Sequence, residues 1–450
     1  MERRKFVKDT MLATAGISIL PAMRLKAEDK KVKVALIGVG LRGQDHLDNL
    51  LRRNDVDLLA ICDVDERMLE KAVGLIKKSG KPMPQIFKGD PHAYRKLLEL
   101  KNIDAVLIAT PWEWHTPMIL DSLQAGIKYV GTEVVLGITL DDHWKVVHEA
   151  EKQKANVMML ENACYFRDVL AVLNMVRQGV LGEIIHLQAG YQHDLRGVKF
   201  NNGVDPYDSG AEFGEKGFSE ARWRTNHSVH RNADLYPTHG VGPVANMIDI
   251  NKGNRFLSLN SFATKSRGLH NYIVQKGGEN HPNAKVRFKL GDIVTTQLNC
   301  ANGETIILQH DTNLPRPYSL GYRVQGTEGL WMQVNHSMYV EGKSTKHQWD
   351  DEKPWLAKYD HPLWKKFDSK DTENAAGHGG IDFFVLNGFL EAVKRRVATP
   401  LDVYDAATWS AITPLSESSL ELGNQTVDFP DFTGGQWMYR INNFALNDEY

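Results

Sequence analysis

The chain has 450 residues, of which 42% are hydrophobic and 24% are charged. Its 54 Lys and Arg residues nearly balance 56 Asp and Glu residues, for a formal net charge of -2 at pH 7. This composition is typical of a soluble globular protein of two or three domains, and without a basic excess it argues against a nucleic-acid partner. Cys62, Cys164 and Cys300 are too far apart to predict a zinc site or a disulfide framework.

Residues 1–30 are predicted to be a targeting segment and a spacer. The segment has a basic head with Arg3 and Arg4, a mildly apolar middle and a cleavage-like finish at Ala27. It resembles a twin-arginine signal, which directs folded proteins out of the bacterial cytoplasm, so a periplasmic location is expected. An amphipathic or disordered tail is the alternative interpretation. The sequence has no uninterrupted apolar stretch of the ~18 residues that a membrane-spanning helix needs.

Residues 31–155 alternate between apolar strands and helices. The strand VKVALIGVG precedes a helix from Leu41 to Arg52, and the strand DVDLLAICDVD precedes a second helix. After the strand IDAVLIATP, Thr116 and Pro117 suit the N-cap and the first turn of a helix that ends near Gly126. Strands that are apolar throughout and alternate with helices predict a doubly wound parallel sheet, and therefore a Rossmann domain.

Residues 156–450 are predicted to form a second domain, because the pattern changes there. A helix from Asp168 to Arg177 is stopped by Gly179. Longer segments of alternating character follow, namely EIIHLQAGY, VRFKL, DIVTTQLNC and ETIILQHD. They predict an α+β domain with an open, mostly antiparallel sheet that can carry a pocket on one face.

A glycine-rich turn follows the first strand. Gly38, Gly40 and Gly43 have the G-x-G-x-x-G spacing that lets the backbone approach a pyrophosphate at a helix N-terminus. Asp63 stands at the end of the second strand, where a carboxylate accepts hydrogen bonds from the adenosine ribose and repels a 2′-phosphate. The sequence therefore predicts NAD rather than NADP as the cofactor.

The stretch ATPWEWH, at residues 109–115, leaves the carboxyl end of the next strand, which is the edge where ligands of such sheets bind. This order of features resembles the Gfo/Idh/MocA family of NAD(P)-dependent oxidoreductases, whose members have a threonine-proline segment and a downstream histidine here. The next family landmark is Glu-Lys-Pro, whereas this chain reads Glu133, Val134 and Val135. Family dehydrogenases generally use that lysine near the reacting hydroxyl, so its absence argues against an ordinary sugar dehydrogenase.

Longer blocks resemble one branch, glycoside hydrolase family 109, the NAD-dependent α-N-acetylgalactosaminidases. They include EVVLGITL, LENACYFRDVLAVLNMVRQG, FSEARWRTNH, LYPTHGVGP and PLDVYDAATW, and the resemblance runs from about residue 31 to the C-terminus. It implies a glycan or glycoconjugate with terminal α-linked GalNAc as substrate. The residues it implies around the NAD are Leu41, Arg42, Asp63, Trp112, Glu113, Trp114, His115, Glu133, Val134 and Asn162. The residues it implies against the sugar are Tyr191, Arg224, Tyr236, Pro237, Thr238, His239 and Tyr318.

The resemblance also supplies candidates for proton transfer. They are Glu161, His193, Tyr236 and His239, with Tyr191 beside them in GYQHD. His239 is favoured because it lies in a Tyr-Pro-Thr-His-Gly turn and an imidazole titrates near neutral pH. A single histidine or tyrosine is otherwise more often a core or surface residue, and Glu161 is equally well interpreted as a buried partner that orients a neighbour.

The sequence shows no pair of carboxylates spaced as in an ordinary glycosidase. Our hypothesis is a temporary oxidation at C3 that acidifies the C2 proton, followed by elimination at C1, addition of water and re-reduction. An exported enzyme can work in this way with one tightly held NAD. The alternatives are an exported NAD-dependent sugar oxidoreductase with a bound, recycled cofactor, and a non-catalytic sugar-binding protein. The sequence leaves the oligomeric state open, a homo-oligomer included.

Overall fold

The computed structural model describes residues 31–366 and 380–448. The targeting segment predicted for residues 1–30 lies outside the described residues and stays a prediction. In the described ranges, no helix combines the length and the apolar character that crossing a membrane requires. Cys62, Cys164 and Cys300 are all buried free thiols.

The first sheet is six-stranded and fully parallel, with the order β3-β2-β1-β4-β5-β6. Its strands are β1 Val32–Ile37, β2 Val56–Cys62, β3 Gln85–Phe87, β4 Ala105–Ile108, β5 Tyr129–Thr132 and β6 Asn156–Met159. Its helices are α1 Leu41–Arg52, α2 Glu66–Ser79, α3 Tyr94–Leu98, α4 Trp112–Gln124 and α5 Leu140–Gln153. The central strands β1 and β4 are buried almost throughout, as a sheet covered on both faces requires. The predicted Rossmann architecture is therefore confirmed.

Helix α4 begins earlier than the sequence predicts. Its N-cap is Pro111, so the predicted N-cap Thr116 and first-turn Pro117 lie inside the helix. His115 stabilises this first turn of the helix, because its ring nitrogens lie 2.8 Å from the carbonyl oxygen of Thr110 and 2.5 Å from that of Val135. This places the residues of the WEWH stretch on the first helical turn at the carboxyl edge of the sheet.

The second sheet has nine strands in the order β14-β13-β12-β11-β7-β10-β9-β8-β15. Among the described strands of this sheet, β7 and β10 form the one parallel pair. All the other pairs are antiparallel, so the prediction of a mostly antiparallel sheet is confirmed. The strands are β7 Ile184–Gln192, β8 Phe256–Ala263, β9 Ile293–Cys300, β10 Thr305–Asp311, β11 Arg323–Gly326, β12 Gly329–Met332, β13 Ser337–Val340, β14 Asp350–Asp351 and β15 Val427–Asp428.

The second part of the chain also contributes nine α-helices within the described ranges. They are α6 Arg167–Arg177, α7 Arg196–Lys199, α8 Arg224–His230, α9 Thr238–Met247, α10 Gly268–Gly277, α11 Glu352–Lys358, α12 Pro362–Lys366, α13 Ile381–Arg395 and α14 Val403–Glu421. Helix α9 lies against β7 at very short range, since a Cβ on Gly240 would sit 2.7 Å from the backbone nitrogen of Gly190. This close approach sets His239 beside Tyr191.

Two sequence predictions differ from the structure. The segment VRFKL, residues 286–290, is irregular rather than a strand, because Phe288 packs into a small separate aromatic cluster with Phe200 and Phe213. The domain boundary at 155 falls before β6, which pairs with β5 in the first sheet. The apolar run of β6 reads equally well as the start of a new element, and only its pairing assigns it to the first sheet.

The C-terminal helices return to the first sheet, so the two domains are joined at more than one point. Helix α13 packs against α1 and β1, and α14 packs against α5 and β6. An ion pair joins α13 to α1: the Arg42 guanidinium lies 2.5 Å and 2.8 Å from the two Asp382 oxygens. Asp382 is completely buried.

Replacing Asp382 by Ala is expected to reduce the free energy of unfolding by on the order of 3 kcal/mol, because it removes one partner of a buried ion pair. The matched control is Asp48→Ala, which breaks the surface pair with Arg52 on α1 and is expected to cost about 0.5 kcal/mol or less. Denaturant unfolding with NAD held at one saturating concentration measures both. Equal losses in the two variants would show that the Arg42–Asp382 pair has no special structural role.

Candidate active site

The glycine turn after β1 leaves open space where a pyrophosphate fits. Gly38 has φ +90°, and a Cβ there would lie 2.3 Å from the carbonyl oxygen of Ala109. A Cβ on Gly43 would lie 2.1 Å from the Gly38 oxygen, whereas one on Gly40 would meet nothing within 4 Å. Helix α1 starts directly after Gly40 without a side-chain cap. Its first N–H groups and its positive end therefore suit the phosphates of a dinucleotide.

Asp63 braces the same turn from the end of β2. Its Oδ2 accepts a hydrogen bond from the Val39 amide at 2.7 Å, and its Oδ1 accepts one from the Asp65 amide at 2.8 Å. Burial raises the pKa of this carboxyl above its ordinary value, against these hydrogen bonds, which lower it. Each oxygen keeps a lone pair that can accept from a ribose hydroxyl. The residues present at this end therefore fit NAD.

A groove of about 470 Å³ runs from this turn to the face of the second sheet. It is lined by Gly38 and Gly40 of the glycine turn and by most of the residues that the resemblance places around NAD, namely Leu41, Arg42, Asp63, Trp112, Trp114, Glu133, Val134 and Asn162. Tyr191, His193, Arg224, Tyr236 and His239 line it from the second domain. Most of the predicted cofactor residues and the sugar-side Tyr191, Arg224, Tyr236 and His239 therefore share one continuous cleft, with both domains contributing walls.

Several predicted residues are not among those that line the groove within the described ranges. Gly43 packs against Gly38, and Glu113 faces His227, with 3.7 Å between its carboxylate and the ring nitrogen. His115 is buried against two carbonyl groups, and burial lowers its pKa. Its ring therefore links the backbone that follows β4 to the backbone that follows β5.

On the sugar side, Pro237 caps α9 and Thr238 is buried in its first turn. Tyr318 lies at the outer edge, 48% exposed, with its ring 4.9 Å from that of His193. These residues shape the site from behind or beside it. Tyr318 is placed to contact the outer part of a bound molecule.

A buried charge network surrounds Arg42. Arg42 Nε donates to Glu133 Oε1 at 2.6 Å, and His46 Nε2 lies 2.7 Å from the same oxygen. Asn162 Nδ2 donates to Asp382 at 2.6 Å. Burial alone would raise the pKa of Glu133, but Arg42 and His46 hold it far below its ordinary range. Glu133 is therefore ionised at neutral pH.

The charges differ from the Gfo/Idh/MocA pattern at one position. Val134 lines the groove where that pattern has a lysine, and it contributes no charge. Arg42, from the glycine turn, presents a cation to the same groove. The cation of this groove therefore comes from a different element of the fold, and it is paired with Glu133 and Asp382.

His239 faces a buried carboxylate. Its Nδ1 lies 2.7 Å from Glu161 Oε1, and Glu161 is completely buried. The same Glu161 oxygen accepts a hydrogen bond from the Ala163 amide at 3.0 Å, and the Tyr322 hydroxyl donates to the His239 carbonyl oxygen at 2.6 Å. The backbone of His239 is thus fixed by a hydrogen bond, and its ring lies at ion-pair distance from Glu161. With Nδ1 turned to Glu161, Nε2 is the nitrogen that can reach a proton in the groove.

Two tyrosines stand against this histidine. The Tyr191 and Tyr236 ring centroids are 4.5 Å apart, and they lie 5.3 Å and 4.9 Å from that of His239. The Tyr191 hydroxyl lies 3.1 Å from His193 Nδ1. Burial raises the pKa of Tyr191 to about 12 and raises that of Tyr236 as well. Both phenols are therefore protonated at neutral pH and can donate.

Arg224 is held among aromatic rings. Its guanidinium lies 5.1 Å from the Trp112 ring centroid, 5.4 Å from that of Trp223 and 5.3 Å from that of Tyr236. Its Nε lies 2.6 Å from Glu220. A rigid planar cation in such surroundings can donate hydrogen bonds to sugar oxygens while the rings contact apolar faces.

Sequence reasoning did not single out four residues that the structure brings to this region: Lys199, Glu220, Trp223 and Asp382. Glu220 and Trp223 lie in the block FSEARWRTNH, so their closeness in sequence to Arg224 could have identified them. Lys199 and Asp382 carry no local signal, because their partners are distant in sequence.

Lys199 is a buried cation behind the groove. Its Nζ donates to Thr312 Oγ1 at 2.8 Å and to Asn313 Oδ1 at 2.6 Å, and its carbonyl oxygen accepts from the Thr225 hydroxyl at 2.6 Å. Burial, together with nearby Arg224, lowers the pKa of Lys199 to about 7. Because Thr225 follows Arg224, Lys199 helps to set the position of α8.

Two family models divide the chain between them. Residues 32–161 match the oxidoreductase family with an NAD-binding Rossmann fold. Residues 165–439 match the C-terminal domain of glycosyl hydrolase 109. The chain belongs to glycosyl hydrolase family 109. The predicted family and the predicted NAD cofactor are therefore confirmed, and the protein is a glycoside hydrolase with an NAD-binding domain.

Full-length relatives agree with this assignment. A family 109 protein of Stenotrophomonas maltophilia is 56% identical over 455 residues, covering 100% of this chain and 99% of its own. An α-N-acetylgalactosaminidase of Tannerella forsythia is 51% identical over 93% of this chain and 90% of its own.

The fold extends to distant NAD enzymes. Levoglucosan dehydrogenase in complex with NADH and levoglucosan superposes with a TM-score of 0.62 at 16% identity, over 89% of this chain and 100% of the other. The myo-inositol dehydrogenase of Lactobacillus casei in complex with NAD(H) and myo-inositol gives a TM-score of 0.60 at 16% identity, over 91% and 99% of the two chains. These likenesses concern the fold.

Replacing Asp63 by Asn is expected to weaken NAD binding at least tenfold and to reduce discrimination against NADP, because the anion that receives the ribose hydroxyls is lost. Titration of both cofactors by calorimetry measures the change. Asp48→Asn, on the same domain away from the groove, is the control. Unchanged affinities in Asp63→Asn would remove Asp63 from the cofactor site.

Lys199 should also give this family 109 enzyme a characteristic pH dependence. The lysine titrates near 7 when folded and near 10.5 when unfolded, so between these values the unfolded state binds more protons and stability rises with pH. We expect Lys199→Met to be most favourable relative to wild type near pH 7 and to lose that advantage towards pH 9.5. Thermal melts of both proteins across this range test it, and a constant difference in Tm would contradict a depressed Lys199 pKa.

Proposed function

We propose that this enzyme hydrolyses terminal α-linked N-acetylgalactosamine from a glycan, with no net oxidation or reduction. The observation that carries the proposal is the continuous groove that joins the NAD-binding turn to the pair of His239 and Glu161 and to two protonated tyrosines. The 51% identity to the α-N-acetylgalactosaminidase of Tannerella forsythia supports the choice of sugar.

The proposed reaction conserves atoms and electrons. Bound NAD would supply a reversible hydride acceptor for C3 of the sugar, and the proton of the C3 hydroxyl passes to a base and is returned when C3 is reduced. A ketone at C3 acidifies the C2 proton, so a base can remove it while the C1 substituent leaves with the bonding electron pair and receives a proton. Water then adds at C1, C2 regains a proton and C3 is reduced again. The sum is the cleavage of one glycosidic bond by one water molecule.

His239 is the proposed base in this scheme. Glu161 lies 2.7 Å from Nδ1 and is proposed to stabilise positive charge on the ring, so that Nε2 takes the C2 proton and returns it. Glu161 is therefore a positioning residue. This arrangement differs from that of an ordinary glycosidase, in which two carboxylates flank the bond, because here the carboxylate is completely buried behind the histidine.

Tyr191 and Tyr236 are the proposed proton donors and orienting groups. A phenol whose pKa is raised to about 12, as for Tyr191, is neutral before reaction and can donate to an oxygen that gains negative charge. His193 lies within hydrogen-bond distance of Tyr191 and can pass a proton onwards. Arg224, which lies beside Tyr236, is proposed to contact sugar hydroxyls or the acetamido group.

We also propose that the protein is exported to the periplasm in the folded state by the twin-arginine route. The basis is the sequence of residues 1–30 together with the proposed chemistry. A cofactor that is regenerated in every turnover can be bound once in the cytoplasm and carried along. N-terminal sequencing of the exported protein tests this part separately.

The decisive assay follows nitrophenol release from 4-nitrophenyl α-N-acetylgalactosaminide by purified protein without added NAD, while absorbance is monitored at the NADH band. We expect many turnovers with no accumulation of NADH. We further expect His239→Ala to reduce kcat by about 10²- to 10⁴-fold with bound NAD retained, because it removes the base. Glu161→Gln should lower kcat less, with little change in KM.

His148→Ala is the matched control, since His148 is exposed on α5. Net NADH without nitrophenol would replace the proposal with the sugar oxidoreductase. Full activity of His239→Ala would overturn its role as base.

A further inference from the structure

A short segment of the second domain crosses the wall of the cofactor groove. We define this strap as residues Phe218–Arg224. Asn201 fixes its start with two hydrogen bonds, because its Nδ2 donates to the Phe218 carbonyl oxygen at 2.8 Å and its Oδ1 accepts from the Phe218 amide at 3.1 Å. Ser219 then has φ +53°, an unusual left-handed conformation for a serine, and a 3-10 helix spans Ser219–Arg222. The strap is therefore a defined structure.

The strap faces the same groove as the glycine turn. Its lining residues are Ser219, Glu220, Arg222, Trp223 and Arg224. On the NAD domain, Asp63, Asp65 and Met68 line the adenosine end of that groove. A dinucleotide that lies along the groove is therefore bounded by the second domain as well as by its own.

Contacts tie the strap to the NAD domain at both ends. At the adenosine end, the Arg67 guanidinium lies over the Phe218 ring, 3.8 Å from its centroid. Phe218 is only 4% exposed, so this cation–π contact is largely shielded from water on the ring side. At the other end, Trp223 packs edge-on against Trp112, with ring centroids 5.1 Å apart.

We propose that the contact between Arg67 and Phe218 is a latch that holds the strap across the groove and retains the bound NAD. The cofactor then leaves only when the strap separates from α2. The inference deepens the proposed function, which relies on a cofactor carried through many turnovers. It is tested by release of NAD, which does not require glycosidase activity, so the two can fail separately.

Arg67 has a second partner that the test must separate from the latch. It pairs with Asp65 at 2.9 Å, and Asp65 caps α2 and lines the groove. Arg67→Ala removes both contacts, whereas Phe218→Leu removes only the stacked ring and keeps the pair with Asp65. The Arg67 side chain is 53% exposed, so its replacement is compatible with folding.

The experiment loads the full-length protein with NAD and follows its replacement by an excess of a fluorescent NAD analogue. We expect both single variants to release NAD about three- to thirtyfold faster than wild type, the range of one cation–π contact. The double variant should release no faster than the faster single variant, because both substitutions break the same contact. NAD stoichiometry at saturation and thermal melts confirm that each variant is folded.

Arg52→Ala, an exposed arginine on α1 paired with Asp48, serves as the control and should release NAD at the wild-type rate. Wild-type release in both Arg67→Ala and Phe218→Leu would overturn the latch. Faster release in Arg67→Ala alone would also overturn it, since the effect would then run through Asp65. If the double variant accelerates NAD release by the product of the two single accelerations, the two residues act independently, and this would also overturn the latch.

Discussion

The site depends on a guanidinium that is held between two carboxylates from different parts of the chain. Arg42 leaves the glycine turn and meets Glu133 after β5 and Asp382 on α13. Buried carboxylates need such a partner, because desolvating an unpaired charge costs several kcal/mol. The position of the C-terminal helix, the end of β5 and the turn that receives the phosphates are therefore coupled. A change in any of them reaches the cofactor groove.

The local features of the first domain could be predicted from the sequence, and the long-range contacts could not. Gly38, Gly43 and Asp63 all lie in the segment β1–α1–β2, so their spacing identifies them, although the Ala109 carbonyl that excludes a Cβ at Gly38 follows β4. The start of α4 was misplaced because His115 holds its first turn through the distant carbonyl of Val135. Asp382 is 340 residues from Arg42, and no local pattern marks such a pair.

In the second domain, too, local patterns could be predicted from the sequence and long-range contacts could not. Its long alternating strands were predictable because each buries one face. The strand predicted for VRFKL was wrong, because Phe288 packs into a local aromatic cluster. In the site, the resemblance supplied His239 and Tyr191, and their relation to each other follows from the contact of Gly240 with Gly190. The sequence also leaves the partner of His239 open, whereas the structure places Glu161 2.7 Å from its Nδ1.

The same architecture accounts for how a dehydrogenase fold can support hydrolysis. A dehydrogenase that exchanges cofactor in every turnover needs an accessible groove, whereas a hydrolase that regenerates its cofactor benefits from slow release. In this chain the NAD domain carries Asp63 and the glycine turn, and the second domain adds the strap over the same groove. His239 and the tyrosines stand at the end of that groove. In the proposed scheme, proton transfer and cofactor retention therefore both come from the second domain, on an NAD-binding unit with the strand order β3-β2-β1-β4-β5-β6.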